Sequence, residues 1–319
     1  VTRVCAAGAG WQELCATAPT KDNTGMARYP QPVNPNANPQ LEPCTAKLPE
    51  RLSPSAAKDF KQCPRMFWEK KVAKSVVWTD TEATTKGTLV HHALEKIFDH
   101  PRAERTADVA VGYIRPEWEK LSSKKSYAVL AAMPAAGLEK MLAEAEEMTR
   151  EYFAIEDPTR FDPVWREEWI RAKLGSAELN GIIDRFDSWQ AADGTKRHAI
   201  SDYKTGKMPG ERYADEAFFA MKLYAAGIRE SKGITVDQVR LIHTRFGKEG
   251  VMRLAIDDEV IDEAIVEFDG IWSDINDAAD AGLFPCQTSV LCNWCDAQTT
   301  TCPAWQDEDG QPVDLNSRL

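Results

Sequence analysis

The sequence lacks any apolar run of the roughly 20 residues that a membrane-spanning helix needs. It also lacks a charged-then-apolar leader with a cleavage site, so we expect a soluble cytoplasmic protein without a membrane partner. Basic residues are fewer than acidic ones, with 39 Lys and Arg against 50 Asp and Glu, so the formal net charge is −11. That balance argues against a generally basic protein that coats nucleic acid, but it permits a local basic groove inside an acidic exterior.

Eight cysteines in an intracellular chain do not indicate a disulfide framework. Cys292, Cys295 and Cys302 form a C-x2-C-x6-C cluster, and three thiolates are one ligand short of a tetrahedral zinc site or a four-cysteine iron–sulfur site. Cys63 is the natural fourth ligand. Free buried thiols and a zinc site remain alternatives at this point. The other four cysteines lack close partners in the sequence and are interpreted as incidental: Cys5, Cys15, Cys44 and Cys286.

The chain divides by composition into three parts. Residues 1–47 are rich in Pro, Asn, Ala, Gly and Thr, which predicts a disordered or loosely docked leader. Residues 48–310 form the folded domain, with a helical insert at about 100–160 and a cysteine-cluster segment at 284–305. Residues 311–319 are a tail. With 319 residues, 43% of them hydrophobic, the chain can bury one large elaborated core.

Hydrophobic periodicity and capping residues predict an α/β fold. Ser53 and Pro54 start the first helix as N-cap and first helical residue. The expected order is helices, three strands, a helix, two strands and a helix, hence a mixed sheet crossed by a helix and covered by a helical cap. The elements are helices at 86–98, 107–121, 124–155, 212–230 and 257–280, and strands at Val164–Arg171, Glu178–Trp189, His198–Lys204, Asp237–Thr244 and Val251–Ala255.

Asp202, Lys204 and Asp184 are the first candidates for chemistry. Asp202 and Lys204 are two residues apart on a strand, so both side chains lie on one face. If the preceding strand pairs with theirs, Asp184 comes beside Asp202. Two carboxylates and an ammonium at the end of a sheet suit the binding of a divalent cation against a phosphate. An isolated Asp-x-Lys is, however, usually a solvated surface pair.

Two further features gain meaning only beside that site. His91 lies on an amphipathic helix, where a single histidine is more often structural than a ligand. Residues 58–74 carry six basic and two acidic side chains, which is either a solvated helix face or a strip that faces phosphates. The candidate DNA-binding residues of this strip are Arg65, Phe67, Trp68 and Lys70.

Six short pieces, taken together, resemble a known family. From about Lys47 to Trp305 the chain is similar to the RecB-like branch of the PD-(D/E)XK nucleases. Within that branch it is most similar to the iron–sulfur exonucleases, which include the fourth CRISPR-associated (Cas) family and the phage and actinobacterial RecB-type exonucleases. The pieces are Leu52-Ser53-Pro54-Ser55 through Cys63-Pro64, Gly87-Thr88-Leu89-Val90-His91, Gly181-Ile182-Ile183-Asp184-Arg185, Asp202-Tyr203-Lys204-Thr205-Gly206, Met221-Lys222-Leu223-Tyr224-Ala225, and Cys292, Cys295 and Cys302-Pro303.

The resemblance implies a restriction-endonuclease-like core and a role for each matching residue. Asp184, Asp202 and His91 would bind catalytic Mg²⁺ or Mn²⁺, while Lys204 would orient the attacking water. Tyr224 would lie behind the site on the helix that crosses the sheet. The four cysteines named above, Cys63 included, would bind a structural [4Fe-4S] cluster that joins the two ends of the domain. The expected substrate is DNA, as single strands or ends.

This chain departs from the family pattern at two points: the first keeps a second function open, and the second leaves the type of metal cluster open. The family usually has Gln four residues before Tyr224, where this chain has Ala220, and the last cysteine spacing is one residue longer than the common x5. The leading expectation is a metal-dependent DNA exonuclease that serves recombination, repair or CRISPR adaptation, with proteins of those pathways as candidate partners. The alternative is a non-catalytic or weakly active cluster-stapled module that binds DNA or a partner.

Overall fold

A mixed sheet lies at the centre of the part that the computed structural model describes, which is residues 20–21, 27–75 and 79–315. Its five strands are β1 (Trp165–Leu174), β2 (Ala177–Gln190), β3 (Lys196–Lys204), β4 (Gln238–His243) and β5 (Val251–Ala255). They lie in chain order across the sheet, and β3 and β4 are parallel while the other neighbours are antiparallel. The predicted mixed α/β sheet is thereby confirmed.

Helices flank both faces of this sheet. Ser53 caps the first helix by accepting a hydrogen bond from the Ala56 N–H, and Gly282 ends the last one in the left-handed conformation. A two-residue ribbon pairs Thr20–Lys21 with Ala27–Arg28. The helices are α1 (Pro54–Gln62), α2 (Pro64–Phe67) with a following π-helical segment (Trp68–Ala73), α3 (Glu82–Lys96), α4 (Ala107–Val111), α5 (Ile114–Leu121), α6 (Ala128–Ala131), α7 (Ala135–Tyr152), α8 (Ala214–Ala217), α9 (Phe219–Lys232) and α10 (Asp258–Ala281).

Each face of the sheet has its own core. On one face, α1, α9 and α10 pack over strand residues such as Ile170 and Leu179. Gly227 of α9 lies so close to β1 that an added Cβ would come within 2.7 Å of the Ile170 side chain. On the other face, the helical layer (α3–α7) packs over Tyr203 and Ile242. Alternate residues of β3 therefore serve different layers, since Tyr203 enters the core under the helical layer while Asp202 and Lys204 face away from it.

The structure corrects the predicted helices of the insert. The helix expected at 124–155 is broken between α6 and α7, because Pro134 cannot continue a helix from the preceding turn. The helix expected at 107–121 is interrupted at Gly112. Helix α3 shares its core with α5, α6 and α7, so the helical layer begins well before residue 100.

Part of the predicted leader is docked on the end of the chain. Residues 1–19 and 22–26 lie outside the described residues, as do Cys5 and Cys15. Beyond them, the Val33 N–H donates to the carbonyl of Ala304 at 2.9 Å, and the Cys286 N–H donates to the carbonyl of Ala37 at 2.8 Å. Ala37 is buried in a small cluster with the C-terminal segment. This stretch is therefore held by backbone hydrogen bonds, although it has almost no regular structure.

Candidate functional site

Three of the predicted side chains meet where β2 and β3 lie side by side. The antiparallel register pairs Arg185 with Ser201, so the next position outward sets Asp184 beside Asp202. The Tyr203 N–H donates to Asp184 Oδ2 at 2.7 Å, which fixes that carboxylate against β3. Lys204 Nζ lies 2.5 Å from Asp202 Oδ2. Two carboxylates and one ammonium thus form a compact charged cluster.

His91 reaches this cluster from α3. Its Nδ1 lies 3.2 Å from Asp184 Oδ2, and its Nε2 lies 2.7 Å from the carbonyl oxygen of Tyr203. Both neighbours are hydrogen-bond acceptors, so the ring satisfies both only as an imidazolium that donates from each nitrogen. Burial opposes the charge, but the Asp184 carboxylate outweighs burial and raises the pKa of His91 to about 9.

The pKa values of the two aspartates are shifted in opposite directions. Burial and the negative charge of Asp184 raise the pKa of Asp202 above its ordinary value. Burial acts the same way on Asp184, but His91 and the Tyr203 N–H outweigh it and lower the pKa of Asp184. For Lys204, burial is outweighed by the adjacent Asp202, so the pKa of the ammonium is raised. A site that crowds carboxylates in this way favours a bound cation.

Glu167 is a residue that the sequence analysis missed. It lies on β1 opposite Asp184, between the paired positions Arg166–Arg185 and Glu168–Ile183. Its carboxylate, one Asp184 oxygen and one His91 nitrogen lie within 4.8 Å of one another, which is close enough to share a metal ion. Burial of the carboxylate and the charge of Asp184 raise the pKa of Glu167 to about 7.

The backbone at Glu167 supports a functional role. Its φ of 47° lies in the left-handed region, which a non-glycine residue rarely occupies. Such strain persists where the surroundings require it and is concentrated at functional sites. The signal in the sequence was the acidic pair at 167–168 one hairpin before Asp184, but only the register shows which of the two faces the site.

An open cleft of about 430 Å³ lies beside Asp202 and Lys204. Tyr224 of α9 lines it and packs so tightly against β2 that a Cβ on Gly181 would come within 2.5 Å of the ring. Ala220 lines the same cleft one helical turn away, where its small side chain leaves space. The remaining lining residues include two more lysines and the start of α1: Pro54, Ser55, Lys58, Lys207, Pro209, Ala217, Leu241 and His243.

The predicted cysteines surround a second cavity, which joins the chain segment after α1 to the C-terminal segment. Cys63, Cys292, Cys295 and Cys302 all line it, although Cys63 is more than 200 residues away from the others in sequence. Cys286, interpreted above as incidental, lines it too, and its Sγ lies 3.8 Å from that of Cys302. Sequence spacing did not reveal Cys286, because its close partner lies 16 residues away.

The sulfur atoms of the cysteine cavity have backbone hydrogen-bond donors beside them. Backbone N–H groups of Gln287 and Ser289 donate to the sulfurs of Cys63 and Cys292, both at 3.4 Å. Burial raises the pKa of both the Cys63 and the Cys292 thiol, and these hydrogen bonds oppose it by favouring the thiolate form that metals require. Burial raises the pKa of Cys295 to about 12, so this thiol stays protonated at neutral pH unless a metal displaces the proton.

The predicted DNA-binding strip is not an open face. Phe67 is fully buried and cannot stack on a base. Arg65 is also buried, with its guanidinium 4.2 Å above the Trp68 ring, and Trp68 packs against the main core. Lys70 Nζ lies 3.0 Å from a carboxylate oxygen of Asp59. The helical spacing was visible in the sequence, but the side of the helix that is covered depends on α10 and the C-terminal segment.

A family of known proteins and a solved structure are similar to this chain. The family model of the PD-(D/E)XK nuclease superfamily matches residues 51–303. A solved structure from Eubacterium rectale, provisionally named an exonuclease, is similar with a TM-score of 0.48 and 13% sequence identity, over 84% of this chain and 92% of that chain. A search of the curated proteins found no match. Among the described helices, none has the length and apolar character that crossing a bilayer takes. Because the family model spans most of the sequence, the chain belongs to the PD-(D/E)XK nuclease superfamily.

Proposed function

We propose that this protein is a divalent-metal-dependent DNA exonuclease that hydrolyses phosphodiester bonds at DNA ends. The observation that supports it most is the meeting of His91, Asp184 and Asp202 with Lys204 at the edge of an open cleft. Nucleases of this superfamily generally use divalent metals, and oxygen and imidazole ligands suit Mg²⁺ or Mn²⁺. The bound cation would supply an activated water and stabilise charge on the phosphate.

The residues of the site have separate tasks in this proposal. His91, Asp184 and Asp202 would hold the cation, and His91 would bind it as the neutral imidazole, which is the form that ligates metals. Lys204 keeps its charge and offers it to the phosphate or to the attacking water. Tyr224 holds β2 in place from behind. Lys58 and Lys207, on the cleft wall, bring positive charge to the backbone of the substrate strand.

We further propose a [4Fe-4S] cluster bound by Cys63, Cys292, Cys295 and Cys302. What supports this proposal is that all four thiols line one cavity. A tetrahedral zinc site on the same thiols is the alternative. The cluster would join the start of the domain to its end.

The same enzyme would serve recombination, repair or CRISPR adaptation, and would meet its DNA as single strands or ends. A non-catalytic module that binds DNA or a partner is the second candidate. Ala220 is the residue that favours it. The family's usual glutamine would place a polar group in the cleft beside Asp202, and alanine does not supply that group. The two candidates differ in turnover and not in DNA binding.

Purified protein with Mn²⁺, given labelled linear and circular single-stranded DNA, separates the candidates. We expect degradation of the linear DNA alone, and a loss of about 100-fold or more in Asp202→Asn and Lys204→Ala. Lys196→Ala is the matched control, since Lys196 lies at the far end of β3, exposed and away from the site. Absence of metal-dependent degradation by the unaltered chain would retire the enzyme proposal. Cleavage of the circle would retire the exonuclease assignment.

A further inference from the structure

The outer face of the β1–β2 hairpin carries a large aromatic side chain in solvent beside the candidate metal site. Along β1, Ile170, Ala172 and Leu174 are buried against the helices, while the residues between them point outward. Trp169 is 50% exposed. β1 is an edge strand of the central sheet. A half-exposed tryptophan at this position contributes little to the core.

Trp169 lies near the acidic residues of the site along both strands of the hairpin. On β1 it is two residues from Glu167. Glu167 in turn shares the site of Asp184 and His91. The register pairs Trp169 with Ile182, two residues before Asp184 on the neighbouring strand. Both strands therefore lead from the metal site to the position of Trp169 in two residues.

Positive charge accompanies the aromatic ring. The Arg171 guanidinium lies 5.2 Å from the centroid of the Trp169 ring, in cation–π contact. Lys173 continues the same outward face, and the register pairs it with Glu178. An aromatic plane with a guanidinium beside it, next to a site for phosphate and cation, is complementary to a nucleobase and its backbone charge. A folded protein partner would not require this continuity with the metal site.

We propose that Trp169, supported by Arg171, is the platform on which a nucleobase of a single-stranded DNA end stacks while the neighbouring phosphate occupies the metal site. The proposal rests on the proposed nuclease function and adds its substrate form. Stacking on one face of a base requires that the base be unpaired, so a blunt duplex must fray before it binds. Every base has such a face, so little sequence preference is expected.

The test is the affinity for a fluorescently labelled single-stranded oligonucleotide, measured by anisotropy in Ca²⁺ without turnover. We expect Trp169→Ala to raise the Kd about 5- to 150-fold, the range of one lost stacking contact. Trp169→Phe should stay within about threefold of the unaltered chain. Trp189→Ala is the matched control, because Trp189 is 39% exposed at the far end of β2, and its Kd should not change. Since Trp169 is half exposed, its truncation leaves the core intact.

An oligonucleotide with abasic sites near its end tests for base stacking itself. We expect the difference between the unaltered chain and Trp169→Ala to vanish on this strand. An unchanged Kd for Trp169→Ala, or an equal loss on normal and abasic strands, would overturn the proposal, and the former result is expected if the surface binds a protein instead. If Trp169→Ala weakens binding but the unaltered chain degrades no DNA, the platform stands and the nuclease proposal fails.

Discussion

Replacing Glu167 with Gln should stabilise the metal-free protein at alkaline pH. The Glu167 pKa lies at about 7 in the folded state against an ordinary 4.5, so the folded chain holds this proton more tightly than the unfolded chain. Between those values the folded state binds more protons, and stability therefore falls as the pH rises. The loss of stability that comes from ionising Glu167 is absent below pH 4.5, and it reaches its full size above about pH 7.

The size of the effect follows from the shifted pKa and the exposure of the side chain. The difference between 4.5 and about 7 corresponds to roughly 3.4 kcal/mol at 1.36 kcal/mol per pKa unit. The residue as a whole is exposed even though neighbouring groups surround its carboxylate, so solvent screening reduces the expected gain for Glu167→Gln to ~1 kcal/mol at pH 8. In a chain of 319 residues that is a rise in Tm of about 1–2 °C. At pH 5.5 the gain should be less than half as large.

The assay is thermal unfolding of both chains at pH 5.5 and pH 8, with and without Mn²⁺. Glu168→Gln is the matched control, because it makes the same change one residue along, where Glu168 pairs with Lys232 at 2.9 Å, and should be neutral or slightly destabilising. Mn²⁺ should raise the Tm of the unaltered chain more than that of Glu167→Gln, since a cation relieves the same crowding. Equal gains at both pH values, or a gain in Glu168→Gln, would refute the electrostatic argument.

Three further changes test other parts of the molecule. Cys63→Ser should lose iron and visible absorption and should melt at a lower temperature, because metal binding contributes folding free energy. Cys286→Ser, on the same cavity, should keep the cluster. Lost turnover at an unchanged melting temperature would contradict the structural role of the cluster. Arg185→Met should lower the free energy of unfolding in urea by ~3–5 kcal/mol, since it removes the buried partner of Glu156 and Asp187; a loss below about 1 kcal/mol would show that Arg240 compensates. Gly181→Ala should cost ~1–3 kcal/mol, because the new methyl meets the Tyr224 ring, while Gly270→Ala, whose Cβ meets nothing within 4 Å, should be neutral or stabilising.

Much of the fold was predictable because its signals are local. The Ser53–Pro54 helix start, the strand at Val251–Ala255 and the long final helix lie where capping and periodicity predict them. Capping uses atoms three residues apart, and hydrophobic alternation is visible within a window of ten residues. The failure at Pro134 was also local, since a proline in a helical pattern predicts a break.

Local patterns in the sequence are enough to place most strands and helices in order and to identify the available chemical groups: the Asp-x-Lys strand, the aspartate before it, and the late cysteines. Which of those groups meet depends on the tertiary fold. The pairing of β1 with β2 brings Glu167 to the site and leaves Trp169 in solvent. Packing against Phe284 removes Phe67 from the surface. The docking of the C-terminal segment beside the residues after α1 brings Cys286 to the other thiols. These outcomes depend on contacts between residues far apart in the chain, because strand register and the burial of a helix face are set by the partner and not by the local sequence.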